Sequence, residues 1–403
     1  TVVSLQLELG ELRQDIMSEE LDRSLITSHA SVQIAAISAG DTAWMLTASS
    51  LVLFMTIPGL ALYYSGQVRV QNVLSTIMQS FSITCLITFL WLAFGYSLAI
   101  GGPYNESVGN PLIGDQSRFW LQGIEINGVH PGATTIPETV FCVYQLTFAI
   151  ITPALICGGF ADRMKYQSML SFMTLWHLIV YCPICHMVWH SDGLLLKLGA
   201  VDFAGGAVVH MTSGTAGLVC ALYVGNRAGY GKERFQPHNI LITVMGACML
   251  WVGWLGFNAG SALGANTMAG AAMLNTQIAS SCGGLAWMLC EWYGQPSLLG
   301  MTSGALGGLI GVTPAAGFVN PTGAFFIGLI CGPVCFGGCK VKKYYMIDDA
   351  LDTFGLHCVG GSTGMLLVCI ICVFVCACVV SIGIFNCILY YTVDRLLCHR
   401  RSQ

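Results

Sequence analysis

Charge is what this chain has least of. Only 9% of its 403 residues are Asp, Glu, Lys or Arg, against roughly 25% in soluble domains. A soluble surface cannot be built from so few charges, and 55% of the residues are hydrophobic with a mean hydropathy of +0.70. The chain is therefore read as a polytopic membrane protein. A net charge of −4 with no basic cluster gives nucleic acid nothing to bind, and no Gly-rich phosphate loop ending in Lys-Ser or Lys-Thr is present for ATP. The nineteen cysteines suggest no disulfide scaffold, because most lie inside apolar runs, as Cys369, Cys372, Cys376 and Cys378 do. They read as small core hydrophobes. The chain opens at Thr1 without an initiator Met or a basic-then-apolar leader, the pattern of a fragment or a processed form.

What is present is a pattern that occurs twice. Asp202–Gly217 reads DFAGGAVVHMTSGTAG and Asp349–Gly364 reads DALDTFGLHCVGGSTG. Each carries Asp, then His eight residues on, then Gly four and seven residues after the His: Asp202, His210, Gly214, Gly217 and Asp349, His357, Gly361, Gly364. An ionisable side chain in a membrane helix is a functional hypothesis by default. Two in matching places indicate an internal repeat, with a site where the halves meet.

Apolar windows near the ~20 residues that cross a bilayer fall at 42–66, 72–101, 138–160, 167–189, 202–224, 239–262, 267–293, 299–318, 322–339, 353–371 and 373–392. The expectation is eleven spans in an all-α fold, the halves being about 41–226 and 239–371 with a last helix at about 373–392. Forty-eight glycines suit close helix packing. Lys and Arg divide twelve to four between alternate sides. The richer side holds Arg69, Arg163, Arg227, Lys342 and Arg395 among others, which puts the N-terminus outside and the 395–403 tail inside. Residues 1–40 precede the membrane region, with Leu5, Leu9, Leu12, Ile16, Leu21 and Leu25 at near-helical spacing, as in an amphipathic extramembrane helix. Asn105-Glu-Ser107 is a weak glycosylation signal on the outer side.

The residues allow several roles. His210 and His357 should stay neutral at mid-membrane and could line a narrow polar path, bridge helices, or serve a metal, although neither has a second ligand three or four residues away. Asp202 suits a helix N-cap and could also favour a cation near the outer mouth, while Asp352 resembles a helix-start residue on the inner side. Trp189 is an interface tryptophan by default. Phe148 and Phe257 supply aromatic faces and Ser261 a hydroxyl, the makings of a cation site.

Longer motifs carry a resemblance. LVLFMTIPGLALYYSG (51–66), GGFADR (158–163), HMVW (186–189), DFAGGAVVH (202–210), GKERFQPHN (231–239), GWLGFNAGS (253–261), PSLLG (296–300), GVTPAAG (311–317) and DTFGLH (352–357) stand in one order. In that order the chain resembles the Amt/Mep/Rh ammonium transporter family from about Asp41 onward, and the Amt/Mep branch in keeping Trp189 and Ser261. The resemblance implies two inverted five-helix halves plus a final helix, a homotrimer with a pore in each subunit, and no cofactor. It implies ammonium or ammonia, and methylammonium, as substrates in a plasma membrane. By motif, Trp189, Phe148 and Ser261 recruit ammonium, Phe148 and Phe257 form a gate, and His210 and His357 line the pore, with Asp202 below the vestibule. Two features depart from the family pattern: almost no turn separates the tenth and eleventh spans, and the tail after Asp394 ends within nine residues. An ammonium sensor with little flux is the second reading. A membrane enzyme with an acid–base histidine pair is the third, and it lacks a nucleophile or carboxylate beside the pair.

Overall fold

A computed structural model describes residues 37–104, 109–233 and 235–371. Those residues form a helical bundle: α1 (Ala39–Gln67), α2 (Val70–Ile100), α3 (Glu138–Phe160), α4 (Tyr166–Lys197, broken by a turn at 190–193), α5 (Gly206–Val224), α6 (Ile240–Gly260), α7 (Thr267–Glu291), α8 (Leu298–Val312), α9 (Pro321–Tyr344) and α10 (Phe354–Ile371). Eight of them are long and apolar enough to cross a membrane, α8 is apolar but shorter, and α7 is long but carries Asn275, Thr276, Gln277, Ser280 and Ser281 in its middle. The architecture is that of an all-α polytopic membrane protein. The first ten expected spans appear in order. The fifth begins later than expected, at Gly206, and the ninth runs on to Tyr344. The eleventh span (373–392), the amphipathic stretch before residue 37, the Asn105–Ser107 signal and the 395–403 tail lie outside the described residues.

Local chemistry sets the helix starts. Asn239, Asn266, Ser297 and Asn320 each accept a backbone N–H from the first turn of α6, α7, α8 and α9 at 2.8–3.1 Å, which satisfies donors a helix otherwise leaves free. The long polar connection after α2 is not wholly irregular. It holds a short antiparallel hairpin, β1 (Val129–His130) and β2 (Ala133–Pro137), that leads into α3. Helix α3 is the most enclosed span, buried along nearly its whole length.

The repeated motif explains how the halves join. A Cβ on Gly214 of α5 would strike the backbone of Cys358, and one on Gly361 of α10 would come within 2.8 Å of Gly206 O and 3.1 Å of His210 Cβ. Gly217 faces Gly159 and Thr353, while Gly364 faces Gly311 and Pro314. Residues 206, 214 and 217 thus meet 361, 358 and 353 in turn, so α5 and α10 run antiparallel. Each also touches the end of its own half's third helix, α3 or α8. Small residues permit that approach, and an inverted relation between the halves is its consequence.

Candidate functional site

Asp202 and Asp349 begin the two motif helices from opposite ends of the bundle. Asp202 Oδ1 accepts the N–H groups of Gly205 (2.8 Å) and Gly206 (2.6 Å), and Oδ2 those of Ala207 (2.8 Å) and Val208 (3.1 Å). Asp349 accepts only two, from Thr353 at 3.1 Å and Phe354 at 2.8 Å. A carboxylate on free N–H groups at a helix N-terminus is the favourable arrangement. The sequence reading placed Asp352 at this helix start, where its carbonyl accepts the Leu356 N–H at 2.9 Å, while the capping side chain is that of Asp349. Asp352 stands where Gly205 stands in the first copy, and both have left-handed backbone, at φ 59° and 114°. Asp is one of the few residues besides Gly that tolerates this region. The Asp352 side chain turns instead to Lys342 Nζ at 2.6 Å.

Each cap opens into a wide π-helical turn, Gly206–Met211 and Phe354–Cys358, that carries the motif histidine. Such turns are frequent at functional sites. The two imidazoles meet at the centre, with His357 Nδ1 and His210 Nδ1 3.2 Å apart. At that distance one ring donates and the other accepts, so a neutral pair needs complementary tautomers. His210 is held further by stacking on Trp254 at 5.2 Å, whose Nε1 donates to Thr313 Oγ1 at 2.9 Å. Its Nε2 is buried with no hydrogen-bond partner among the described residues, and a polar atom left so costs free energy unless something passes that can pair with it.

Toward the Asp202 end, Phe257 lies 5.9 Å from the His210 ring and 4.3 Å from Phe148, closing the way between the pair and the surface. Beyond Phe148 is a cavity of about 140 Å³. Trp189, Phe148 and Ser261 all line it, as do Tyr144, Gln145 and Phe203, which the sequence reading did not single out. Trp189 packs edge-on to Phe148 at 5.6 Å, and its Nε1 donates to Asp202 O at 3.0 Å. Tyr144 OH donates to Phe257 O at 2.7 Å and lies 3.2 Å from Ser261 Oγ. Its aromatic neighbours in the motif set offer the only signal that could have flagged Tyr144. Trp189, Phe148 and Ser261 thus stand at the cavity, Phe148 and Phe257 beneath it, and His210 and His357 beyond them, while Asp202 and Asp352 stand at the helix starts.

At the Asp349 end the walls are charged. Asp348 binds Arg227 at 2.7 Å and 2.9 Å and Arg163 at 3.4 Å, while Asp162 reaches Arg69 at 3.5 Å and Arg227 at 3.7 Å. Burial alone would raise the Asp348 carboxyl, but hydrogen bonds and charge from Arg227, with Arg163, hold it below its ordinary value. Asp349 is pushed up to about 6, mainly by burial, with Lys342 pulling the other way. Among the described residues no cluster of three or more His, Cys, Asp or Glu is placed to hold a metal.

Comparison with known proteins gives this arrangement a family. The profile of the Ammonium Transporter Family matches residues 43–387. The chain belongs to that family. It is 46% identical over 348 residues to the ammonium transporter of Aquifex aeolicus (strain VF5), spanning 85% of this chain and 79% of that one. It is 46% identical over 330 residues to the ammonium transporter of Bacillus subtilis (strain 168), spanning 81% and 78%. Among solved structures, Saccharomyces cerevisiae Mep2 superposes with a TM-score of 0.78 at 38% identity over 83% of this chain and 74% of that one. A structure described as a sensor Amt protein superposes with a TM-score of 0.76 at 26% identity, over 85% and 84%. The two curated relatives are named as ammonium transporters, which places the chain with ammonium transport.

Proposed function

We propose that this family member recruits ammonium in the aromatic cavity, takes a proton from it there, and conducts ammonia past the twin histidines. The observation that carries the reading is the His210–His357 contact at 3.2 Å, directly below the Phe148–Phe257 pair. Ring faces of Trp189 and Phe148 attract a cation through their quadrupoles, and Ser261 Oγ offers an acceptor. The two phenylalanine rings, 4.3 Å apart, leave a hydrated ion no room. Stripping a cation of water in an apolar passage is costly, whereas a neutral molecule escapes that penalty. In this reading an N–H bond of ammonium breaks in the cavity, its proton passes to cavity water, and ammonia moves on. The unpaired Nε2 of His210 then gives the passing molecule a polar contact, and the shared hydrogen keeps both rings oriented.

The membrane placement belongs to the same proposal. The Asp202 end faces outside and the Asp349 end inside the plasma membrane. The gathering of Arg69, Arg163, Arg227 and Lys342 at the Asp349 end supports this. The working assembly is a homotrimer with one pore per subunit. Labelling that found both termini on one side would reject eleven spans.

Solid-supported membrane currents on purified protein in liposomes, with ammonium and methylammonium pulses, test the transport reading. Currents that saturate with ammonium and vanish in the His210→Ala, His357→Ala double variant support it. Binding with neither growth rescue nor liposome flux would favour the sensor reading, which the similarity to a sensor Amt protein keeps in view.

A further inference from the structure

Helix α3 brings one amide to the aromatic cavity. Gln145 stands three residues before Phe148 and Tyr144 four, a spacing that puts all three on one side of the helix, and all three line the cavity. Tyr104 and Phe203 line it as well. Gln145 is only 9% exposed, and its Oε1 is buried with no hydrogen-bond partner among the described residues. A buried acceptor left so costs folding free energy, which an apolar side chain of similar size would not.

The other polar groups of the cavity are engaged. Tyr144 OH donates to Phe257 O at 2.7 Å, Ser261 Oγ donates to the same carbonyl at 3.0 Å, and Trp189 Nε1 donates to Asp202 O at 3.0 Å. Their hydrogens are turned onto backbone carbonyls, which leaves ring faces and oxygen lone pairs for a guest. Among the described residues no carboxylate lines the cavity. Ammonium carries four N–H donors and no acceptor, so a desolvated ion needs oxygens to receive the N–H groups that the ring faces do not. The last torsion of a glutamine is soft, and its amide can therefore turn an oxygen with two lone pairs onto the ion.

We propose that Gln145 is a substrate-binding residue, its amide oxygen accepting an N–H of ammonium beside the ring faces of Trp189 and Phe148. The proposal rests on reading that cavity as the recruitment site. A neutral acceptor suits that reading, because it holds the ion by a hydrogen bond without a counter-charge that would oppose loss of the proton. Methylammonium keeps three N–H groups and can use the same oxygen.

The test reads the half-saturating ammonium concentration in liposome currents, on variants that elute at the native size, together with unfolding midpoints in ammonium-free detergent. Gln145→Leu removes the acceptor at similar volume. Its half-saturating concentration should rise about tenfold, the scale of one hydrogen bond to a charged donor, while its midpoint holds or rises because no buried polar atom is left unpaired. Gln145→Glu keeps an acceptor oxygen whether or not the carboxyl is ionised, so its half-saturating concentration should stay at or below that of the wild type. An unchanged concentration dependence in Gln145→Leu overturns the proposal. So does a rise in Gln145→Glu as large as that in Gln145→Leu, and so does a lowered midpoint in Gln145→Leu, which would make the amide a structural partner. Trp189→Leu separates the two readings. If it leaves the concentration dependence of ammonium untouched, the recruitment reading has failed. If it weakens that dependence while Gln145→Leu does not, only the role of Gln145 has failed.

Discussion

Four backbone N–H groups converge on the Asp202 carboxylate, whereas two reach Asp349, whose own carbonyl is instead tied to Lys342 Nζ at 2.6 Å. The same eight-residue spacing from Asp to His was thus built out in two ways. At the Asp202 end the surroundings are aromatic rings and backbone dipoles. At the Asp349 end they are Lys342, Asp352, Arg163, Arg227 and Asp348. The skeleton of the repeat is shared because antiparallel packing through Gly214 and Gly361 demands it. The dressing differs: rings line the cavity at the Asp202 end, and ion pairs tie several loops together at the Asp349 end.

The largest expected effect lies where the copies meet. If the histidines act as one pair, His210→Ala with His357→Ala abolishes the normal ammonium current while the folded assembly survives on gel filtration. His210→Asp or His357→Glu, each placing a carboxylate in the pore, should loosen selectivity so that potassium or ammonium itself passes. The comparison sharpens if the two carboxylate variants behave alike and breaks if only one leaks. A double Ala variant with wild-type rate and selectivity would reduce the pair to helix packing.

Next come the caps. Asp202→Ala strands four N–H groups and Asp349→Ala two, and a stranded buried donor costs about 1–3 kcal/mol. Thermal unfolding in detergent should show the Asp202 variant losing clearly more stability than the Asp349 variant. Equal losses would mean that Lys342 at the Asp349 end compensates for the missing N–H bonds.

How much of this was legible from residues alone follows the same divide. The two Asp-to-His spacings, the glycines after each His and the apolar windows were readable because helix periodicity and membrane thickness leave few alternatives. Trp189, Phe148, Phe257 and Ser261 were readable by motif, and they do line the cavity and the passage beneath it. Asp352 does stand at the helix start, but that the capping side chain is Asp349's was hidden, because the backbone turn between Asp349 and α10 cannot be seen in the one-letter pattern. Asp349 was already marked by the repeat, and trusting the register would have found the cap. Arg163 and Arg227 were counted for topology alone, since their partner Asp348 is well over a hundred residues away in sequence. Tyr104 carries no spacing signal, because a loop puts it in place, whereas Tyr144 stands one helical turn before Phe148 and was marked only by that neighbour.

A smaller effect tests the aromatic end. Trp189→Leu removes one ring face and should weaken the apparent ammonium affinity by about 1–2 kcal/mol, the scale of a partly desolvated cation–π contact. Current against ammonium concentration reads this directly. A matching shift from a substitution at the Asp349 end, such as Lys342→Met, would contradict the division of labour between the ends.

The smallest effect concerns protons at the Asp349 end. Burial raises the Asp349 carboxyl from 3.8 to about 6, with Lys342 opposing and Asp352 assisting the rise. Between those values the folded chain holds the proton that the unfolded chain has lost, so folding stability falls as pH rises through that window and levels off above it. Asp348, held low by Arg227 and Arg163 against the pull of burial, contributes in the opposite sense and at lower pH, its share growing as pH rises. Asp349→Asn removes the first contribution and leaves the second. The unfolding midpoint of the wild type should therefore drop relative to the variant between about pH 4 and pH 6 and run parallel to it above. A difference that stays constant across that window would show that Asp349 keeps one protonation state throughout. The charged end would then owe nothing to titration, and the contrast between the two caps would come down to the number of N–H groups each one holds.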